Sequence, residues 1–540
     1  MKKSWQKCAA ALICAALLLC MFTTGAAAAD KPGSKAISIL YDVGDFAVKA
    51  LIKGITLLFP DFRTPFCFPD NTDFYPGMET FGDLPAEPEY DTWELGFAQA
   101  SLTEAFTDAE LGKFFVTGSL DVIGKRNVSE IYDPPMVRVT ALSDGSGRGT
   151  ALFLSIDAFG ITSTDVLKVR AALRDFAGDN GIVSINVSAL HQHSVVDTLG
   201  MNGNLITALF ANALARTTGL FQPASGKDPR YMDNLYEVCA ETAQLAVDDM
   251  RPGELFYGRA DVEEYIEDKR PPIVFDKYAH RLRFVPNDTT KPETWLCNFA
   301  IHTTGTGIVD TRVTGDFPAY TALEINEKRG ANFQFIQGAQ LAMGINFDEK
   351  HWPRKEDRYQ SMEAYGRDLA GEIMGITGET RLPALLNIAH KQLTLPIDNP
   401  LHLLLARLGI IESTIRRTDL LFSKGEGRTE IGYMELGDTL AFALMPGELE
   451  PALAFGYGPG GFPAQEAYQG WAFEFTPMKE RVGGRELIVF GLTNDQVGYM
   501  LLPNDVYHFI LFGNEEINQG SSKAAENILK AFEELTGSVR

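Results

Sequence analysis

The chain has 540 residues, a formal net charge of −23, six cysteines and eight histidines. So acidic a balance argues against nucleic acid or an anionic membrane surface as an electrostatic partner. A chain this long, 45% hydrophobic, can bury a large core without disulfides.

Residues 1–29 read as an export signal. Lys2, Lys3 and Lys7 precede an apolar core from Ala9 to Phe22, and Ala26 to Ala29 offer small-residue cleavage positions. That core is too short to span a bilayer. Leu19 before Cys20 is not the small residue of a lipoprotein signal, so the mature chain is expected to be secreted or extracytoplasmic without a lipid anchor. Beyond residue 29, Cys67, Cys239 and Cys297 are too widely spaced for a CxxC metal or redox motif and allow at most one disulfide.

Residues 30–60 carry apolar positions near helical spacing (Ile37, Leu40, Val48, Leu51, Ile52, Ile55) and end at Pro60, which predicts a docking helix. Residues 60–96 are rich in Pro, Phe and Asp and read as an irregular wrapping segment. An N-terminal helix and wrapping segment over 30–110 is therefore expected ahead of one catalytic unit over 111–540. From residue 113 the pattern becomes β-type: 113–118, 135–142 and 150–157 are short apolar runs. Helical periodicity follows at 163–176, then a strand at 181–190. Helices are expected at 203–218, 231–250, 356–375 and 522–536, and strands at 294–301, 333–338, 439–445 and 486–491. The apolar stretch 401–411 reads as a core helix or as a wall for an acyl chain. Alternating helices and strands predict an α/β (α+β) protein with central β-sheets flanked by helices.

His191-Gln192-His193-Ser194 follows directly on the 181–190 run. Side chains two apart on an extended segment share a face. Both imidazoles would then project from the end of a buried strand, which suits a divalent metal; one capping and one solvated histidine is the alternative. Other chemistry-bearing residues recur just past apolar runs: His302 after 295–301, Glu448 after 440–447, and Tyr499 after 487–494. Strand ends on one sheet edge are where loops build sites, and two His with a carboxylate form a common catalytic zinc set. Taken singly, His302 is explained as a core histidine, Glu448 by a helix dipole and Tyr499 by packing. Asp157 and Asp316 read as turn residues or as carboxylates that orient ligands. Gly456 to Gly461 matches GxGxxG without the flanking strand and helix a dinucleotide site needs.

The ordered set resembles the catalytic domain of the neutral/alkaline (non-lysosomal) ceramidases, from about residue 110 to the C-terminus. Leu190-His191-Gln192-His193-Ser194-Val195 is similar to that family's Thr-His-Thr-His-Ser-Gly, Ile301-His302-Thr303 to its His-Pro-Thr strand end, and Pro446-Gly447-Glu448 to its Pro-Gly-Glu. The resemblance implies a Zn2+ site with His191, His302, Glu448 and Tyr499 as ligands and His193 beside it as the catalytic proton handler. It implies hydrolysis of the amide of an N-acyl (sphingo)lipid-like substrate by metal-activated water, with a lipid or small-molecule substrate, no nucleic acid and transient membrane-surface contact. The chain departs from the family at Gly315, where the family's serine precedes Asp, at Leu341-Ala342 in place of Gly-Asp, and at Gln496 in place of a tyrosine, with Tyr507 and His508 nearby in sequence. It also ends at Arg540, with no immunoglobulin-like domain after the last helix. A metallohydrolase acting on another amide or ester, or a non-catalytic binding protein of the same fold, are the alternatives.

Overall fold

The computed structural model describes residues 46, 49–50, 52–57, 61–84, 92–118, 126–203, 205–220, 222–348, 350–353, 355, 357–506 and 515–539. The signal at 1–29 and the Tyr507–His508 pair lie outside the described residues. Of the expected N-terminal helix, residues 46, 49–50 and 52–57 are helical.

Nine strands form the larger sheet: β1 (Trp93–Ser101), β2 (Met136–Ser143), β3 (Thr150–Ile156), β4 (Ile182–Ala189), β5 (Arg251–Asp261), β6 (Tyr278–Pro286), β7 (Thr294–Phe299), β8 (Asn332–Gln337) and β9 (Thr380–Leu382). Their order in space is β8-β7-β6-β5-β1-β2-β3-β4, with β9 added to β5. The edge pairs β8–β7 and β3–β4 are parallel, and the strands between them run antiparallel. A smaller sheet holds β10 (Leu386–Ile397), β11 (Gly425–Leu436), β12 (Leu440–Leu444) and β13 (Glu486–Phe490), in that order, with 415–417 added to β11.

Burial patterns explain how these elements stack. Trp93, Leu95, Phe153 and Phe284 of the large sheet meet Ile388, Met434, Phe442 and Phe490 of the small one in a single core. The outer face of the large sheet is covered by α1 (Ser163–Asp179) and α3 (Pro229–Asp248), whose Val166, Val169 and Leu173 and whose Leu235, Cys239 and Ala243 recur at helical spacing. The helix α2 (Leu205–Thr218) lies between them in sequence. Two further helices, α4 (Asp316–Arg329) and α5 (Arg358–Met374), pack beside β8. Leu386 to Leu444 in turn leave an outer face that the C-terminal helix α7 (Ala524–Ser538) covers, after the short α6 (Pro400–Arg407). The result is helix, sheet, sheet, helix. A buried ion pair, Arg170 to Glu430 at 2.6 Å, ties α1 to β11.

The large sheet twists until its far edge returns over its start, as right-handed strand twist requires over many strands. Gln334 of β8 donates to the carbonyls of Arg138 (3.0 Å) and Phe153 (2.8 Å) in β2 and β3. Residues after β13 fill the remaining gap: Gly491 N donates to Gln337 O, Ala189 N to Leu492 O, and Asn494 N to Val187 O. Three strand ends, those of β4, β7 and β13, thus open on the same place.

Several expectations need correction. Residues 113–118 form only isolated bridges at Phe115 and Val116. β1 lies in the middle of the large sheet, so the sheet unit starts by residue 93 instead of 111. The long strands β5, β6, β10 and β11 escaped the sequence pattern: β5 mixes four charged residues with its apolar ones, and β11 carries Gly425, Gly427 and Gly432. Cys67, Cys239 and Cys297 are all free thiols, the last two buried. Among the described residues no helix is long and apolar enough to cross a membrane.

Candidate metal centre

His191 follows Leu190 at the exit of β4 with a left-handed φ of 63°. Its N–H and that of Gln192 both donate to Ala158 O, at 2.9 and 3.3 Å. The chain therefore turns at His191, and strand alternation is not what aligns the two histidines. The turn still brings their rings to 4.8 Å between centroids. Gln192 is tied inward by its amide, which donates to Asp157 Oδ1 at 2.8 Å and Gly315 O at 3.3 Å.

His302 arrives from the end of β7. Gln337, at the end of β8, donates to Leu190 O (3.1 Å) and Ile301 O (2.6 Å), clipping the two histidine-bearing strand ends together. Thr303 adds a bond from its hydroxyl to Leu190 O and one from His193 N to its own carbonyl. The His191 and His302 rings lie 4.9 Å apart.

Glu448 and Tyr499 lie past the ends of β12 and β13 of the smaller sheet. They sit abreast in a two-residue parallel pairing, Glu448 with Tyr499 and Leu449 with Met500. The close approach depends on glycine. A Cβ at Gly447 would fall 2.6 Å from Gly498 O, and Gly498 itself has φ +86°. Glu448 does not open a helix: the helix starts at Pro451, with Glu450 as its N-cap, so a helix dipole does not explain the glutamate.

The four residues converge. Glu448 Oε2 lies 3.4 Å from His191 Nε2 and 3.1 Å from His302 Nε2. The Tyr499 hydroxyl is 3.3 Å from His302 Nε2. The nitrogen atoms of His191, His193 and His302 fall within 4.8 Å of one another, so His193 stands inside the donor cluster. Phe159 stacks on His191 and meets His193 edge-on, closing one side. Together these groups floor a cleft of about 270 Å³ whose rim includes Leu199, Met201, Lys269, Thr304, His402, Ile411 and Gln496.

Tautomers follow from the partners. His191 Nδ1 is 2.8 Å from Phe159 O and His302 Nδ1 2.9 Å from Met343 O. A carbonyl only accepts, so each Nδ1 carries the proton and each Nε2 presents a lone pair. Backbone carbonyls, and not Asp157 or Asp316, orient these rings. Burial pulls the His191 imidazole down to about 3, and burial, then neighbouring His302, does the same for His193. Two lone pairs thus confront one carboxylate oxygen inside the protein, an arrangement that only a cation or proton between them relieves. The donor set fits zinc: bonds of about 2.0–2.1 Å place tetrahedral donors about 3.3 Å apart. The observed spacings are 3.1, 3.3 and 3.4 Å.

His193 differs. Neither ring nitrogen has a hydrogen-bond partner, although the Gly118 backbone approaches it without good geometry. Gln340 and Gln496, which sequence reasoning left out of the site, each donate to a Glu448 oxygen at 3.2 Å. No motif marks Gln340, and Gln496 stood out only as a departure from the family's tyrosine; the fold brings both in. His402 and Ile411 of the 401–411 stretch also reach the cleft wall. His280 and His390 do not, being bound to Asp276 and Ser184. Gly315 lies outside the cleft lining, at the start of α4, where a Cβ would meet Ala319 and Asp157 at 3.0 Å.

No family model and no curated relative matches this chain. Among solved structures it is similar to the neutral ceramidase from Pseudomonas aeruginosa and to a ceramidase complexed with C2. Each comparison has a TM-score of 0.59 and 15% identity over 83% of this chain and 75% of the other. The chain therefore has the mixed α/β, helix-flanked fold seen in those ceramidases.

Proposed function

We propose that the chain is an exported zinc-dependent amidohydrolase that cuts the amide of N-acylated, lipid-like compounds. One observation carries this: His191 Nε2 and His302 Nε2, both with the proton held on the far nitrogen, face the same Glu448 oxygen at the floor of an open cleft. His191, His302, Glu448 and Tyr499 would hold the ion, and zinc bound there would activate water and polarise an amide carbonyl. The ceramidase fold supports the amide as the bond attacked.

The protein's own groups supply the rest. His193 is neutral, buried and without a partner on either nitrogen, so it can take a proton from the attacking water and return it to the leaving amine. Gln340 and Gln496 fix the Glu448 carboxylate from both sides. Phe159, Leu199, Met201 and Ile411 form an apolar wall on the His191 side suited to an acyl chain and exclude water from it.

Metal analysis of the purified protein, with fatty-acid release from N-acyl sphingosines and from N-acyl compounds lacking a sphingoid base, tests the proposal. Near-stoichiometric zinc that falls in His191→Ala and His302→Ala, with amide cleavage, is expected. Absence of zinc, or the same zinc content in both variants, sinks it.

A further inference from the structure

The cleft is two-sided. On the His191 side, Phe159, Val195, Leu199 and Met201 form one apolar cluster with Ile411 packed on it. On the His302 side the wall is a short antiparallel ladder in which Met343 pairs with Asp268 and Gly344 with Glu267. Met343 is the residue whose carbonyl holds His302. The next residue of the facing strand, Lys269, donates its backbone N–H to Ala342 O and reaches the cleft lining.

Gly344 leaves room for the lysine. A Cβ built there would fall 2.8 Å from both Lys269 Cε and Nζ. The bare glycine therefore lets the ammonium lie flat along the wall, one residue from the carbonyl that orients His302. Its ion-pair contact with Glu267 is 3.5 Å long, with both side chains about half exposed (49% and 55%). That is longer than a charge-assisted hydrogen bond of about 2.7–2.9 Å, and a pair so exposed is weak. Among the described lining residues, Lys269 is the one lysine or arginine. Of the two glutamates there, Glu448 is turned to the histidines and Glu515 faces Arg270 at 3.4 Å. A neutral head group offers such an ammonium hydrogen-bond acceptors but no opposite charge. The net charge of −23 repels anions at long range, so any preference for them must be made locally.

We propose that Lys269, laid along the cleft wall by Gly344, selects N-acyl compounds whose amine portion carries an anion, the chain lying on the Phe159 side and the carboxylate or phosphate on the Lys269 side. This rests on the amidohydrolase reading and narrows its substrate class.

The test uses uncleavable sulfonamide analogues that share one twelve-carbon chain and differ only in head group: glycine carboxylate, O-phosphoethanolamine or neutral ethanolamine. Binding is measured by calorimetry on the protein as purified, on Lys269→Met and on Lys269→Arg. The wild type is expected to bind at least one anionic analogue about tenfold more tightly than the neutral one, an ordinary yield for one charged hydrogen bond. Lys269→Met should erase that difference while leaving the neutral analogue within about twofold, which also shows that the cleft is intact. Lys269→Arg should keep it. Which anion wins identifies the source of the charge. Equal binding of all three by the wild type, or an unchanged preference in Lys269→Met, overturns the proposal. Turnover of the matching carboxamides is read separately: cleavage without charge selectivity removes this inference alone, and charge-selective binding without cleavage removes the hydrolase reading alone.

Discussion

Glu448 Oε2 stands 3.1 Å from His302 Nε2, and both atoms are acceptors, because Met343 O fixes the His302 proton on Nδ1. The contact is unfavourable without a cation and favourable with one. Glu448→Gln keeps the shape but turns an acceptor into a donor that can satisfy the His191 and His302 lone pairs. Gln340, whose Oε1 has no partner, can turn its amide so that its own N–H no longer faces the new donor. The metal-free variant is expected to be more stable than the metal-free wild type by about 1–2 kcal/mol, while its zinc affinity falls more than about tenfold. Urea titration in chelator and zinc competition measure the two. A loss of metal-free stability in Glu448→Gln contradicts the lone-pair assignment.

Gln192 is the residue between the two histidines and works inward. Its amide bonds Asp157, which also accepts from Met136 N at 2.9 Å and pairs with Arg138 at 3.3 Å. Gln192→Leu removes that tie at similar volume and leaves a buried carboxylate one partner short. The expected cost is about 1–3 kcal/mol of stability and about 10- to 100-fold in zinc affinity, since the turn that carries His191 and His193 is no longer anchored. Chelator competition reads the affinity. Stability lost with zinc affinity unchanged would make Gln192 a packing residue and nothing more.

Much of this was legible in the sequence where one residue type carries one role. His191, His193, His302, Glu448 and Tyr499 each follow an apolar run, and the fold brings all five to one place. Their local geometry differs from what the sequence pattern implies. His191 and His193 face each other through a left-handed turn and not through strand alternation, and Glu448 pairs in a strand instead of opening a helix. Gln337, Gln340 and Lys269 were illegible because their roles come from partners distant in sequence: Leu190 and Ile301, Glu448, and Gly344. Strands such as β5 and β11 were missed for a related reason. Their charged or glycine positions are accommodated by neighbours, as when Gly432 leaves room for the His390 ring at 2.8 Å.

Behind Gln192 lies a group of buried carboxyls whose charge opposes folding. Burial pushes Asp133 up to about 6, despite bonds from Thr314, Gly315 N and Tyr320, with Asp157 adding to the rise. Burial likewise pushes Asp316 up to about 6, with Asp133 adding to it. Arg138 faces Asp157 from β2 and partly offsets the cluster. A carboxyl with a raised folded pKa binds more protons folded than unfolded between about pH 4 and 6. Its contribution is complete below about 4 and lost as pH rises through 6. Asp133→Asn removes that dependence, so its stability relative to the wild type should improve by up to about 3 kcal/mol between pH 4.5 and 7.5. The comparison cancels the carboxyls shifted the other way, such as Asp61 and Asp165. Urea midpoints at matched pH check it, and a wild-type-to-variant difference that stays flat with pH contradicts it.

Gly498 sets the distance between the two halves of the site. Its carbonyl accepts from Glu448 N at 3.2 Å, its φ is +86°, and a Cβ there would collide with the Asn518 carbonyl. Tyr499 follows directly. In Gly498→Ala the left-handed backbone costs about 1–2 kcal/mol, and the collision with a backbone oxygen raises the total to about 2–4 kcal/mol. The chain can relieve this only by moving away from Asn518 or from Glu448, and either shift changes where the Tyr499 hydroxyl meets His302. Gly498→Ala is therefore expected to lose both stability and zinc affinity. Tyr499→Phe should lose zinc affinity while staying within about 1 kcal/mol of wild-type stability, because it gives up only a partly exposed hydroxyl and no packing. Thermal melts and zinc competition on the two variants separate the effects. If Gly498→Ala melts early yet binds zinc as tightly as the wild type, the pairing of Glu448 with Tyr499 does not depend on this glycine, and the register of the two short strands must be held by Leu449 and Met500 in the core instead.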